Sequence, residues 1–289
     1  MSNNIQVGKL TIGRGGPLAL IAGPCVIESR EVCLRVAEHA RRLADELGLP
    51  LIFKSSYTKD NRSTITSYQG PGLEEGLRVL EEVRAAFDVP VLSDVHTPEE
   101  CAPAAEVLDV LQIPAYLCMQ SQLVIAAART GKAVNVKKGQ FLHPLDMKNV
   151  VGKLEACGNR NIMLTERGTC LGYHNLVADM RSLPMMRSLG YPVVFDPTHT
   201  VRKYGVSSSD PAGGEPQYIP HLTRAGVAAG VDVLFLETHP DPASALCDAA
   251  SMLPLSRLGD LLRDCVRLHE IAREADERDA ASGPFASCG

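Results

Sequence analysis

The densest chemistry in the chain lies between residues 54 and 63. Lys54, Lys59 and Arg62 stand there with Asn61 and the hydroxyls of Ser55, Ser56, Thr58 and Ser63. Directly before them runs Leu51-Ile52-Phe53, which reads as the end of a buried strand. Cations at such an exit are costly unless an anion faces them. Lys and Arg are the usual partners of phosphate and carboxylate, so the segment predicts a floor for those groups. The alternative is a solvated loop with ordinary surface charge.

A second basic group, Lys137, Lys138 and Arg167, lies far along the chain. The plainer reading of Arg167 is an ion pair with Glu166 or another carboxylate. A third set is Cys25, His199, Glu237 and Asp248. Thiol, imidazole and carboxylate are donors that a divalent transition metal takes. They can do so only if the fold gathers them. Otherwise Cys25 is a buried thiol and His199 a hydrogen-bonded imidazole.

The elements that must position these groups repeat. Apolar strand cores occur at residues 18–25, 51–53, 89–95, 107–113, 133–136, 161–164, 193–195 and 231–236. Helical spacing fills much of the chain between them, as at 31–47, 72–87, 121–128, 146–156 and 218–229, with a last helix at 254–273. Continuous apolar strands alternating with amphipathic helices predict an α/β fold of covered parallel strands. Eight such units predict a (β/α)8 TIM barrel. An open doubly wound sheet is the alternative, but no Gly-x-Gly-x-x-Gly turn follows the first strand. Residues 5–13 alternate and end in glycine turns, predicting a short N-terminal β-hairpin that caps the barrel. The expected organisation is a hairpin over 1–17, a catalytic barrel over 18–273 and a flexible tail over 274–289.

Barrel enzymes place their chemistry at the carboxyl ends of the strands. Polar residues follow every predicted strand, among them Cys25, Lys54, Asp94, Gln112, Lys137, Arg167, His199 and Glu237. Closure makes the seventh, eighth and first strands neighbours, which brings His199, Glu237 and Cys25 together. Asp248, in the loop after the eighth strand, can fold back to them. His239 is expected behind these ligands. Two separated basic groups around one mouth predict two anionic substrates, or one long substrate with two anionic ends. Residues 203–217, rich in Gly, Ser and Pro, predict a lid or a surface insertion.

Composition removes some classes of function. A net charge of −5, with 4 % aromatic residues and no Trp, argues against general nucleic-acid binding. No apolar run reaches the roughly 18 residues that span a bilayer, and the N-terminus lacks a signal pattern. Nine cysteines without a Cys-x-x-Cys pair are the usage of reduced thiols, so a cytoplasmic location is expected.

From about Leu20 to Leu255 the chain resembles the 3-deoxy-D-manno-octulosonate 8-phosphate synthases. The segment from Lys54 to Ser63 carries the most specific part of the likeness. Gly23-Pro24-Cys25-Val26-Ile27-Glu28, Ser93-Asp94-Val95-His96, Asn135-Val136-Lys137-Lys138-Gly139-Gln140-Phe141, Glu166-Arg167-Gly168 and Glu237-Thr238-His239-Pro240 with Asp248 carry the rest. The resemblance implies a TIM barrel that condenses phosphoenolpyruvate with D-arabinose 5-phosphate. It implies the metal-dependent class, because the metal-independent form has Asn where this chain has Cys25. Cys25, His199, Glu237 and Asp248 become the implied ligands of Zn, Fe, Mn, Co or Cd. Lys59, Gln112, Ala115, Lys137 and Arg167 become the phosphoenolpyruvate site. Asn61, Arg62 and Ser63 become the seat of the sugar phosphate, with Lys54 and Asp94 beside the reacting carbons. A homotetramer is also implied. One departure stands out: relatives carry a basic residue shortly after the lid's Gly-Gly, where this chain has Glu215-Pro216-Gln217.

Three alternatives remain open to the sequence. A sister synthase uses erythrose 4-phosphate, but it reads Lys-Pro-Arg-Thr where this chain has Lys54-Ser55-Ser56-Tyr57. A metal-dependent sugar-phosphate aldolase needs fewer cations. A non-catalytic phosphosugar-binding barrel has no use for the metal set.

Overall fold

The structure, a computed structural model, describes residues 4–62, 64–170, 172, 175–203, 205–207 and 210–282. Strands β1 (Ile5–Val7) and β2 (Leu10–Ile12) pair antiparallel, with Gly8 turning between them at φ +55°. A left-handed φ of that kind suits glycine, which has no Cβ to clash.

The barrel begins with β3 (Ala19–Gly23) and α1 (Arg30–Leu47). The hydroxyl oxygen of Ser29 accepts the Val32 N–H and starts this helix, and Gly48 at φ +67° ends it. Its buried face (Cys33, Val36, Ala37, Ala40, Leu43, Ala44) recurs at three- and four-residue steps. The units continue through β4 (Leu51–Lys54), α2 (Leu73–Phe87), β5 (Val91–Asp94), α3 (Pro98–Val107), β6 (Val110–Ile113) and α4 (Ser121–Arg129). Next come β7 (Ala133–Lys137), α5 (Lys148–Ala156), β8 (Ile162–Glu166), α6 (Ser182–Arg187), β9 (Val193–Phe195), α7 (Pro197–Thr200) and α8 (Ile219–Ala228). The eighth barrel strand is β10 (Val233–His239). A short β11 (Leu253–Pro254) pairs with its end, and α9 (Leu258–Ser282) follows.

All eight barrel strands pair parallel in sequence order, and β10 pairs with both β9 and β3, which closes the ring. This is the expected TIM barrel with its hairpin. The last helix runs past residue 273 to Ser282, and Asp276 on it is ion-paired with Arg187.

Two cores divide the strand residues by parity, because alternate side chains face opposite sides of a sheet. Leu20, Leu51, Phe53, Leu111, Val134 and Leu164 pack outward under the helices. Ile21, Ile52, Leu92, Val110, Met163 and Phe235 fill the lumen, and Ile5, Val7 and Ile12 of the hairpin join them. The hairpin therefore plugs one end of the barrel. At the other end the same inward faces carry polar residues two positions further on: Lys54, Asp94, Gln112, Thr165 and Glu237. Chain direction, register and side-chain alternation together deliver the site residues to one mouth.

Candidate active site

Cys25 reaches the mouth through a tight strand exit. A Cβ on Gly23 would sit 1.8 Å from the Lys54 carbonyl oxygen, so only glycine lets β3 lie this close to β4. Beyond it the Cys25 Sγ stands 3.4 Å from Asp248 Oδ2. The Nε2 of His199 lies 3.6 Å from Glu237 Oε2 and 3.6 Å from Asp248 Oδ2. Asp248 joins two groups, Cys25–Cys247–Asp248 and His199–Glu237–Asp248, and within each the donor atoms lie within 4.8 Å of one another.

The neighbours of the quartet fix its chemistry. Asp196 caps α7, its Oδ1 accepting the His199 backbone N–H at 2.9 Å and the Thr198 hydroxyl at 2.7 Å. Its Oδ2 lies 2.7 Å from His199 Nδ1. A carboxylate only accepts, so Nδ1 donates to Asp196, which fixes the ring with Nε2 facing Glu237 and Asp248. The ammonium of Lys54, fully buried, donates to Glu237 Oε1 at 2.7 Å and to the Cys25 carbonyl at 2.8 Å. Arg202 donates to Asp248 Oδ1, which leaves Oδ2 facing Cys25 and His199. Asp248 itself is left-handed at φ +51°, a conformation more tolerable for Asp than for most residues.

The electrostatics of the cluster call for a cation. Burial, the Cys247 thiol and Asp248 push the Cys25 thiol well above its ordinary range. Burial also works to raise Glu237, but Lys54, His199 and Lys59 hold it at about 2. Glu237 Oε2 is buried and has no hydrogen-bond partner among the described residues. A buried carboxylate oxygen left unpaired is costly. Metal–ligand bonds of about 2.0–2.3 Å place tetrahedral donors roughly 3.3–3.8 Å apart, the spacing found from Asp248 to Cys25 and to His199 and from His199 to Glu237. The donor set, the orphaned oxygen and the spacing all fit a divalent metal.

Two adjoining pockets open beside the cluster and share Lys59, Asn61, Tyr116, Arg167 and His199. The first is also lined by Asp94, His96, Ala115, Lys137 and Gln140, the second by Arg62, Arg202, Lys203 and Asp248. Lys59 stands at the junction, 3.6 Å from Asp94 Oδ2 and 3.8 Å from Glu237 Oε1. Lys137 donates to Asp196 Oδ2 at 2.6 Å and sits over the Phe235 ring. Burial pulls its pKa down, with Asp196 and Glu237 acting against the fall.

The remaining predicted residues fall into place differently. Gln112 is buried, its amide shared between Asp94 and Asn135. Arg62 donates to the Cys247 sulfur at 2.7 Å and lies 4.0 Å from Asp248. Ser63 lies outside the described residues. His239 faces Glu28 at 3.3 Å, behind the cluster. In the segment after α7, Glu215 turns toward Lys203 at 3.3 Å and accepts from Asn175 at 3.1 Å.

A sequence profile described as the DAHP synthetase I family matches residues 2–274. The chain belongs to the DAHP synthetase I family. It is 55 % identical over 273 residues to the 2-dehydro-3-deoxyphosphooctonate aldolase of Trichlorobacter lovleyi, covering 94 % of this chain and all of that protein. The like-named protein of Geobacter sp. strain M21 is 54 % identical over 274 residues, covering 95 % of this chain and all of the relative. That of Pelobacter propionicus is 55 % identical over 262 residues, covering 91 % and 96 %.

Sequence reasoning missed Cys247 and Arg202 and gave Asp196 no role in this site. Cys247, whose sulfur lies 3.1 Å from that of Cys25, directly precedes Asp248, and this adjacency was the available signal. Asp196 stands three residues before His199, the spacing of a helix cap. Arg202 carries no local signal, because its partner Asp248 is supplied by a different loop.

Proposed function

We propose that the chain condenses phosphoenolpyruvate with D-arabinose 5-phosphate and water, giving 3-deoxy-D-manno-octulosonate 8-phosphate and phosphate. This is the activity behind the name its relatives carry, written in the synthetic direction. That shared name favours the eight-carbon reaction over the erythrose 4-phosphate alternative. The observation that carries the reading is Lys59, which with Arg167 is shared by two pockets, one reaching Lys137 and the other Arg62. Two anions meeting head to head need such a cation between them.

Lys59, Lys137 and Arg167 neutralise the phosphate and carboxylate of phosphoenolpyruvate, with Ala115 against it and Gln112 beneath. Asn61, Arg62 and Ser63 take the sugar phosphate. Asp94 accepts a hydrogen bond from an aldose hydroxyl and holds the aldehyde against the enol carbon. C3 of phosphoenolpyruvate then attacks the aldehyde carbon while water adds at C2. The resulting hemiketal phosphate loses phosphate by cleavage of the C2–O bond. Fixed charges of this kind stabilise the crowded anionic state without reorganising. Lys54 works from below by holding Glu237 and the Cys25 carbonyl. A divalent metal held by Cys25, His199, Glu237 and Asp248 would supply Lewis acidity toward an aldehyde or water oxygen. The same reading carries a cytoplasmic homotetramer, which analytical sedimentation checks.

The test uses phosphoenolpyruvate labelled with 18O at its bridging oxygen. The reading predicts the label in released phosphate. Label in the sugar acid would overturn the C–O cleavage and with it the mechanism.

A further inference from the structure

Inside the barrel a row of hydrogen bonds crosses four consecutive strands, from β8 to β5, and runs in one direction toward Asp94. The Thr165 hydroxyl donates to Asn135 Oδ1 at 2.7 Å. The amide nitrogen of Asn135 donates to Gln112 Oε1 at 2.8 Å. That of Gln112 donates to Asp94 Oδ1 at 2.6 Å. From the other side the Ser56 hydroxyl donates to Asp94 Oδ2 at 2.5 Å. Asp94, Gln112 and Asn135 are register partners on β5, β6 and β7, so strand pairing itself sets them level.

The direction of the row follows from its ends. Burial works to raise Asp94, but Lys59, Lys54, His96 and Lys137 hold it well below the carboxylate range. It is therefore ionised and can only accept. Gln112 must turn its NH2 toward Asp94, which leaves its carbonyl for Asn135. Asn135 must then donate, which leaves its own carbonyl for Thr165, a hydroxyl that can give a proton. Of the five residues only Asp94 lines the substrate pocket. Linked buried dipoles of this kind polarise one another and lock a single arrangement.

We infer that Thr165, Asn135 and Gln112 are positioning residues that act on the reaction through the Asp94 carboxylate. The inference rests on the condensation proposed above. It moves Gln112 from a substrate contact to a support one layer beneath the substrate. A displacement of about 1 Å in a group that aligns reactants can cost about a hundredfold in rate.

Thr165→Val keeps the shape and removes the terminal donor, and Thr165→Ser restores it. Asn135→Asp reverses the row, because its carboxylate would draw the Gln112 NH2 away from Asp94. We expect Thr165→Val and Asn135→Asp to lower kcat at least tenfold with KM for phosphoenolpyruvate within twofold. Thr165→Ser should recover most of the rate. In an Asp94→Asn background Thr165→Val should cost less than twofold, since the group it acts through is gone. Thr165→Val with wild-type kcat overturns the inference, as does a kcat loss that persists undiminished in Asp94→Asn. A loss appearing mainly in KM for phosphoenolpyruvate overturns it too, returning Gln112 to the substrate. Wild-type protein inactive toward arabinose 5-phosphate overturns the proposed reaction instead, so the two failures are distinct.

Discussion

Asp196→Asn is the perturbation that reaches furthest through this site. The carboxylate of Asp196 is wholly buried and accepts from Lys137, His199 Nδ1, the His199 backbone and Thr198 at 2.6 to 2.9 Å. An amide of the same shape keeps one acceptor oxygen. If that oxygen stays on the helix cap, an NH2 group faces the Lys137 ammonium and the His199 N–H. Removing one partner of a buried ion pair costs about 3–5 kcal/mol. At roughly 2 °C per kcal/mol for a chain of this size, the melting temperature should fall by roughly 6–10 °C. His199 also loses the acceptor that fixes its tautomer, and such losses weaken metal affinity about 10- to 100-fold. Differential scanning calorimetry reads the first effect, and chelator competition on the zinc- or cadmium-loaded protein reads the second. Unchanged melting with metal affinity within twofold of wild type would refute the role given to Asp196.

Arg62→Ala should raise KM for arabinose 5-phosphate at least tenfold and KM for phosphoenolpyruvate less than threefold; equal effects would mean the two ends are misassigned. Cys25→Ala should lose metal on dialysis against chelator, read by elemental analysis, and full activity retained after that treatment would rule out a catalytic metal. Gly23→Ala should prevent accumulation of folded protein, because its Cβ would meet the Lys54 carbonyl at 1.8 Å and strain of that size exceeds about 4 kcal/mol. Glu100 should make stability depend on pH. Burial works to raise it, but hydrogen bonds from His96 and Tyr57 bring it below its usual 4.5. A depressed carboxylate stabilises the fold above its unfolded pKa and loses that contribution as pH falls through the folded value. Glu100→Gln should therefore flatten the acid limb of a denaturation curve measured below pH 5.

The barrel was legible because its signal is repeated. Apolar stretches such as 51–53 and 133–136, each followed by a cation or an amide, fix both the strands and the mouth they face. The gathering of Cys25, His199 and Glu237 at one mouth was legible once closure made β3, β9 and β10 neighbours, since their exits carry these residues. Side-chain company was much less legible. Lys54 looked like a substrate contact because it follows a strand core, yet inward alternation buries it against Glu237. Gln112 and Asn135 looked unrelated because the register that joins them spans separate strands. Arg202 and Cys247 depend on how two long loops fold over one mouth, a matter of tertiary packing that short-range patterns do not encode.

Phosphate release from phosphoenolpyruvate, measured with each aldose phosphate in turn on the metal-loaded protein, tests the proposed reaction most directly. Arabinose 5-phosphate should support turnover, and erythrose 4-phosphate should support at most a few per cent of it. Release with erythrose 4-phosphate alone, or with neither sugar, would contradict the assignment.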